Sequence, residues 1–170
     1  MDALKIRLEQ AGDTEAVRSV VEAAFGRTAE ADLVDQLRRM PGAFALVATR
    51  RDEVIGHLMF SPTQINGLGK NAAAVGLAPL AIRPTYQRQG VGKALMNAGL
   101  QEVGRRGIAV VVVLGHRDYY PRFGFMDAAA KGLTCRWPGA GASFMVLEVI
   151  PGMLGHQGGH VTYAPAFDAF

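Results

Sequence analysis

The residues from Gln87 to Lys93, with the sequence QRQGVGK, could bind a phosphate group through their backbone. They follow the apolar run 75–82, which Pro84 terminates, and an amphipathic segment begins at Val91. This pattern predicts a strand, a tight turn and a helix that begins inside a glycine-rich loop. At such a helix start, several backbone N–H groups have no intrahelical partner, and the helix dipole adds partial positive charge. The segment is therefore a candidate phosphate or pyrophosphate cradle.

Two familiar phosphate-binding loops do not fit this segment. A Walker-type loop needs a glycine, four residues and then Gly-Lys-Ser/Thr, whereas Ala94 follows Gly92 and Lys93, and Gln87 stands where the first glycine should be. A dinucleotide-binding fingerprint needs a third glycine where Leu95 stands. The remaining pattern is Gln/Arg-x-x-Gly-x-Gly, which on its own is also compatible with an ordinary tight strand-to-helix turn.

A second motif follows further along the chain. The apolar run 108–114 is followed by Tyr120, Gly124 and Phe125 in the spacing Tyr-x-x-x-Gly-Phe. Together, the two motifs resemble the coenzyme A pyrophosphate loop and the later tyrosine motif of the GNAT acyltransferase superfamily. The resemblance extends over residues 72–125, with both motifs in the expected order. The ending Tyr-Tyr-Pro-x-Phe-Gly-Phe is similar to that of an uncharacterised bacterial branch of the superfamily.

The resemblance implies where acetyl-CoA, as the cosubstrate, would bind. In GNAT folds two neighbouring parallel strands separate, and the pantetheine arm pairs with one of them as an extra strand would. Here those strands are 75–82 and 108–114. The pantetheine and the acyl carbonyl would contact backbone groups of Leu80, Ala81 and Ile82. The pyrophosphate would bind the backbone amides of Arg88, Gln89, Gly90, Val91, Gly92 and Lys93.

The resemblance also implies a catalytic residue. Acyl transfer from a thioester to an amine requires protons to leave the amine and to reach the sulfur. In the family the motif tyrosine lies near the coenzyme sulfur, so Tyr120 is the candidate general acid, with a core-packing role as its structural alternative. Many members place a glutamate on the strand before the loop, but residues 75–82 contain no ionisable side chain. Ordered water could replace it; for His57 and His116, two further candidates, a structural role is the stronger interpretation.

The resemblance implies an N-acyltransferase that moves an acetyl group from acetyl-CoA to an amine by direct attack in a ternary complex. The acceptor would be a small-molecule or peptide amine, and no metal is expected because no residue cluster has metal-ligand spacing. A non-catalytic acyl-CoA-binding or regulatory domain on the same fold is the first alternative, and an interaction module is the second. The first two helices, which usually line the acceptor side in this family, carry acidic residues that favour a cationic amine. These are Glu22, Glu30, Asp32 and Asp35.

The composition argues against several other classes of protein. Of the 170 residues, 49% are hydrophobic and 19% are charged, and no apolar stretch approaches the ~20 residues needed to cross a bilayer. The N-terminal residues lack the pattern of a signal peptide and Cys135 is the only cysteine, so a cytoplasmic location is expected. The net charge is +3. Because the basic residues are scattered and not interleaved with aromatic residues, nucleic-acid binding is not expected.

The hydrophobic patterning predicts a single α/β domain with a central mixed, twisted β-sheet flanked by helices. The predicted order is β-α-α-β-β-β-α-β-α-β-β. A helical stripe is predicted after Asp13, formed by Val17, Val20, Val21, Ala24 and Phe25. We assign residues 1–150 to the acetyltransferase domain and residues 151–170 to a C-terminal extension that packs on it. This extension is rich in glycine and proline, and it could cover a sheet edge or contribute to a homodimer contact.

Overall fold

The computed structural model describes residues 2–155 and 157–170, which form a mixed β-sheet and three α-helices. The helices are α1 Thr14–Phe25, α2 Ala29–Arg38 and α3 Val91–Arg105. The strands are β1 Lys5–Leu8, β2 Phe44–Arg50, β3 Glu53–Ile65, β4 Ala74–Ile82, β5 Val110–Leu114, β6 Met126–Asp127, β7 Leu133–Cys135, β8 Phe144–Glu148 and β9 Gly159–Thr162. Short 3₁₀ turns form most of the remaining ordered connections.

The strands pair in the order β1-β2-β3-β4-β5-β8-β6, while β9 pairs with both β3 and β7. Strands β1, β2 and β3 are antiparallel neighbours, β4 and β5 are parallel, and β5 and β8 are antiparallel. The predicted mixed sheet and α/β class are therefore confirmed. The sequence pattern missed β6 and β7 because strands of two and three residues are too short to show an alternation.

The chain forms two compact units, and three elements contribute to both. The first unit contains the residues up to Phe60 together with 78–101 and Ala169, and the second contains 61–77, 102–168 and Phe170. Strands β3 and β4 and helix α3 therefore begin in one unit and end in the other. The assignment of 1–150 as one domain and 151–170 as an extension stays a prediction.

In the first unit, α1 buries only the first part of its predicted stripe. Val17, Val20 and Val21 are fully buried, whereas Phe25 is 41% exposed. The helix ends there because Gly26 adopts a left-handed conformation with φ +70°, and its N–H donates to the carbonyl of Glu22. Helix α2 buries Leu33, Val34 and Leu37.

Helix α3 packs closely on β3, and two glycines make this approach possible. A β-carbon on Gly99 would lie 2.7 Å from a methyl carbon of Leu58. On the strand, a β-carbon on Gly56 would lie 3.0 Å from Ile82 and Leu95 side-chain carbons. Since real β-carbons do not come so close to neighbouring atoms, glycine at these positions fixes the distance between helix and strand.

The second unit is built around β5 and β8. Strand β5 has the sequence VVVVL and its four valines are buried, as expected for a strand covered on both faces. The C-terminal residues belong to this unit, since β9 pairs with β7 and the ring nitrogen of Trp137 donates to the carbonyl oxygen of Phe170 at 3.2 Å. No helix among the described residues has both the length and the apolar character needed to cross a membrane.

Candidate active site

Strand β4 continues well past the point where its pairing with β5 ends. The parallel register runs from Ala74 opposite Val110 to Leu77 opposite Val113, and β4 then extends to Ile82. Pro79 lies in this extension and has no backbone N–H, so it cannot donate to a neighbouring strand. The predicted parallel pair is confirmed, and the backbone of β4 beyond Leu77 includes the three residues predicted to contact the pantetheine.

The loop after β4 has the backbone geometry of an anion cradle. Arg88 and Gly90 both adopt left-handed conformations, with φ +58° and +82°. Left-handed residues that alternate with other conformations turn successive N–H groups toward a common point. The N–H of Ala94 makes the first helical bond, to the carbonyl of Gly90 at 3.0 Å. The N–H groups of the three residues before Ala94 therefore face the loop without an intrahelical partner.

Two glutamine side chains hold this loop in place. The amide of Gln87 donates to the carbonyl of Ile82 at 3.1 Å, and the amide of Gln89 donates to the carbonyl of Thr85 at 2.9 Å. The glutamine side chains thus act within the loop, which leaves its backbone amides for a ligand. The Ile82 carbonyl oxygen already accepts this hydrogen bond from Gln87, so it is less available for the predicted contact with pantetheine.

In the second unit, Tyr120 begins the 3₁₀ turn Tyr120–Phe123, and its ring is buried to 7% exposure. It makes edge-to-face contacts with Tyr119 and Phe125 at centroid distances of 5.2 and 5.7 Å. Its ring also lies directly against Gly115, where there is no room for a β-carbon. Its hydroxyl makes no hydrogen bond with the described residues. The ring is therefore fixed by packing, while its hydroxyl keeps its hydrogen-bonding capacity.

Burial determines the protonation state of this tyrosine. Loss of solvation, with a smaller contribution from Tyr119, raises the pKa of Tyr120 to about 12. The hydroxyl is consequently neutral at physiological pH and can donate a hydrogen bond. The pKa of Tyr119 is also raised by burial, but the nearby Arg122 guanidinium opposes that shift.

The two histidines named as alternative bases have different environments. His57 lies fully buried on β3, with its Nε2 3.3 Å from a Glu9 carboxylate oxygen and its Nδ1 without a partner among the described residues. Burial alone would raise the pKa of Glu9, but its hydrogen bonds with His57 and Arg38 lower the pKa below its ordinary value. This is the geometry of a structural histidine. His116 is exposed, and its carbonyl accepts the N–H of Tyr119 at 3.1 Å.

The acidic residues of α1 and α2 are paired with arginines from the same unit. Arg18 contacts Glu22 at 2.9 Å, Asp32 at 2.7 Å and Asp35 at 2.8 Å. Two further arginines complete the pairing, since Arg27 binds Glu30 and Arg38 binds both Asp35 and Glu9. Three guanidinium groups thus offset part of the negative charge that suggested a cationic acceptor, which weakens that prediction.

The described residues contain no group of three or more His, Cys, Asp and Glu side chains that could hold a metal ion. Cys135 is half-buried and free, and its sulfur lies 3.8 Å from the carbonyl of Trp137. The described groups proposed for chemistry are the backbone amides of the loop and the Tyr120 hydroxyl.

Comparison with known proteins places this chain in a family. A family model described as an acetyltransferase (GNAT) domain matches residues 5–128. The uncharacterized N-acetyltransferase YhbS of Escherichia coli is 37% identical over 167 residues, covering 97% of this chain and 99% of that protein.

Two solved structures show the same fold with a ligand. The crystal structure of E. coli YhbS in complex with CoA has a TM-score of 0.92 at 36% identity, covering 100% of this chain and 94% of that one. A GNAT family acetyltransferase from Brucella melitensis in complex with acetyl-CoA has a TM-score of 0.79 at 34% identity, with 98% and 99% coverage. This chain belongs to the GNAT acetyltransferase family, and the predicted family, fold and coenzyme class are confirmed.

Sequence reasoning missed the residues that position the site. Gly115 follows β5 directly and accommodates the Tyr120 ring, and the side chains of Gln87 and Gln89 brace the loop. The position of Gly115, between a buried strand and an aromatic motif, could have indicated this contact, since glycine often marks a place where a side chain approaches the backbone. The glutamine hydrogen bonds had no such signal, because they depend on the path of the loop.

Proposed function

We propose that acetyl-CoA binds along Leu80, Ala81 and Ile82 and the loop 88–93, and that Tyr120 assists departure of its sulfur. The observation that carries this proposal is the pair of left-handed loop residues opening α3, in a chain that belongs to an acetyltransferase family. The unpartnered amides of Val91, Gly92 and Lys93 suit a pyrophosphate, and backbone groups of β4 beyond its pairing with β5 suit an extended pantetheine.

In the proposed reaction, the amine nitrogen attacks the thioester carbonyl carbon, the carbon–sulfur bond breaks, and the amine loses one proton. Tyr120 would donate a hydrogen bond to the sulfur as negative charge develops there. The pKa of Tyr120, about 12, determines whether it transfers a proton to the sulfur or only donates a hydrogen bond. An alkyl thiol has a pKa near 8.5, so full proton transfer from the tyrosine to a free thiolate would be uphill by about 5 kcal/mol. Tyr120 therefore acts by hydrogen bonding to the sulfur during bond cleavage, and coenzyme A leaves as a thiolate that takes its proton from water.

The proton that leaves the amine would pass to water. No ionisable side chain lies on β4, and His57 is buried and paired with Glu9. The acceptor we propose is a primary amine of a small molecule or a peptide. Because arginines pair with the acidic groups of α1 and α2, we propose no particular charge for the acceptor. We expect the protein to act in the cytoplasm, as its single cysteine suggests.

The test is release of free thiol from acetyl-CoA by the isolated protein against a panel of amines, comparing wild type with Tyr120→Phe. This substitution keeps the ring packing and removes only the donor. We expect kcat to fall by about 10- to 10⁴-fold with nearly unchanged affinity for acetyl-CoA. Tyr119→Phe is the matched control, since that ring lies next to Tyr120 but outside the motif spacing.

Three other outcomes would change this assignment. Normal turnover by Tyr120→Phe, in a reaction that wild type performs, would remove Tyr120 from the mechanism. Loss of turnover in Tyr119→Phe alone would mean that the neighbouring ring is the catalytic one. Coenzyme binding without turnover on any amine would favour the non-catalytic acyl-CoA-binding alternative.

A further inference from the structure

Two arginines close to the phosphate loop have unused hydrogen-bond donors. Arg50 ends β2 and Arg83 directly follows β4, and the Nε of each is buried without a hydrogen-bond partner among the described residues. Other arginines of the same unit behave differently, since Arg7 and Arg18 each donate to carboxylates at 2.7 Å. A guanidinium that is half-buried and lacks an acceptor is a ready partner for an incoming oxyanion.

The two arginines belong to one cluster. The guanidinium of Arg50 lies over the ring of Tyr86 at 5.6 Å, and the backbone of Arg50 lies opposite that of Glu53 in the hairpin. The Nε of Arg83 lies 3.6 Å from a carboxylate oxygen of Glu53, which is beyond hydrogen-bond distance. Tyr86 immediately precedes the loop at Gln87, so the cluster adjoins the cradle along the chain.

The charges of the cluster do not balance. The Glu53 carboxylate pairs with Arg83 and its side chain is 56% exposed, whereas no carboxylate among the described residues pairs with Arg50. The other acidic groups of this hairpin face elsewhere, because Asp2 pairs with Arg51 and Asp52 interacts with Arg7. One positive charge therefore remains uncompensated beside the loop.

We propose that Arg50 and Arg83 form a subsite for a phosphate monoester, and that its ligand is the 3′-phosphate of the coenzyme. This inference rests on the proposed coenzyme site. The backbone amides of the loop would bind the two phosphates of the pyrophosphate, and the two arginine side chains would bind the third phosphate. The pyrophosphate is a linear diester that backbone N–H groups can cradle. A terminal monoester is more highly charged and presents three oxygens, a pattern that guanidinium groups match with paired hydrogen bonds.

The experiment compares the affinities of coenzyme A and 3′-dephospho-coenzyme A by calorimetry at one fixed ionic strength. Wild type should bind coenzyme A about 10- to 100-fold more tightly, as expected for charge-assisted hydrogen bonds to one phosphate. Arg83→Gln and Arg50→Gln should each bring that ratio toward one, chiefly by weakening coenzyme A. Arg51→Gln is the matched control, since this neighbour is 80% exposed and bound to Asp2, and its ratio should stay at the wild-type value.

Glu53→Gln provides a test of the opposite sign. This change removes the carboxylate that competes with the phosphate for Arg83. It should therefore tighten binding of coenzyme A and leave the affinity for 3′-dephospho-coenzyme A unchanged. The fold should tolerate this change, because an ion pair with an exposed carboxylate adds little stability. Inorganic phosphate, at matched ionic strength, should weaken coenzyme A binding and leave 3′-dephospho-coenzyme A unaffected.

Several outcomes would overturn the subsite. Equal affinities of wild type for the two coenzyme forms would overturn it while leaving the proposed coenzyme site intact. Equal weakening of both forms in Arg83→Gln would assign that arginine to the pyrophosphate. If inorganic phosphate binds but the two coenzyme forms do not differ, the cluster holds a free phosphate and the assignment to the coenzyme is wrong. Absence of any coenzyme A binding would refute the proposed function itself.

Discussion

Replacing Gly115 with alanine should move the ring of Tyr120 without altering its hydroxyl chemistry. A β-carbon at this position would overlap one ring carbon of Tyr120 and lie 3.2 and 3.3 Å from two others. Carbon atoms in contact prefer separations of about 3.5–4.0 Å, so the ring would have to shift by roughly 1 Å. The contacts of Tyr120 with Tyr119 and Phe125 oppose this shift, since all three rings pack edge to face.

Two effects of different size follow from that shift. Overpacking a buried site generally costs about 1–3 kcal/mol of stability, which should appear as a lower melting temperature. A displacement of about 1 Å at a reacting group can cost about 10²-fold in rate. If the position of the Tyr120 hydroxyl matters, kcat of Gly115→Ala should therefore fall about 100-fold under conditions in which the protein remains folded.

The assay is acetyl-CoA thiol release at saturating acetyl-CoA with the best amine of the panel, well below the melting temperature of the variant. The double variant Gly115→Ala/Tyr120→Phe makes the assignment specific. Once the hydroxyl is absent, moving the ring should cost little more, so the double variant should be about as slow as Tyr120→Phe alone. Fully multiplicative losses, or wild-type turnover in folded Gly115→Ala, would refute the argument that packing against Gly115 positions the hydroxyl.

Other glycines give matched tests of packing and of the loop. Gly99→Ala should destabilise the protein by about 1–3 kcal/mol in urea unfolding, less a helix-propensity gain of up to about 1 kcal/mol, because its β-carbon would lie 2.7 Å from Leu58. Gly104→Ala in the same helix meets open space and should stabilise by about 0.5–1 kcal/mol; equal effects of the two would contradict the close packing. Gly90→Asn tolerates φ +82° and should weaken coenzyme A binding, whereas Gly26→Asn at φ +70° should not. Valine at Gly90 would confound the test, since a β-branched residue is strained at this φ even without a ligand.

The sequence predicted the parts of the site whose signals are local. The loop from Gln87 to Lys93 lies between a β-strand ended by a proline and a helical stripe, so its position in the fold follows from residues nearby in the chain. Tyr120 was singled out over Tyr119 by the spacing to Gly124 and Phe125, and the structure buries Tyr120 more deeply. These predictions required no knowledge of which strands pair.

The sequence did not predict features that depend on how distant segments meet. The full length of β3 is one such feature, because Gln64 and Ile65 at its end pair with β9 nearly a hundred residues later. The contact between Gly115 and Tyr120 depends on the turn between them, and the contact between Gly99 and Leu58 on the distance of α3 from β3. Periodicity shows which face of an element is buried, but not how closely its neighbour approaches.

The acidic residues of α1 and α2 show the same limit for electrostatics. Counting charges along the two helices suggested a field that would attract a cationic amine. In the fold, Arg18 reaches residues 14 and 17 positions away, at Asp32 and Asp35, and Arg38 reaches Glu9 across 29 positions. A field acts on a substrate only through charge that remains after such pairing, and paired surface charges are further screened by salt. We therefore expect the acceptor to be selected by the shape and hydrogen-bonding groups of its site more than by these carboxylates, and turnover on neutral amines at saturating acetyl-CoA should depend little on ionic strength.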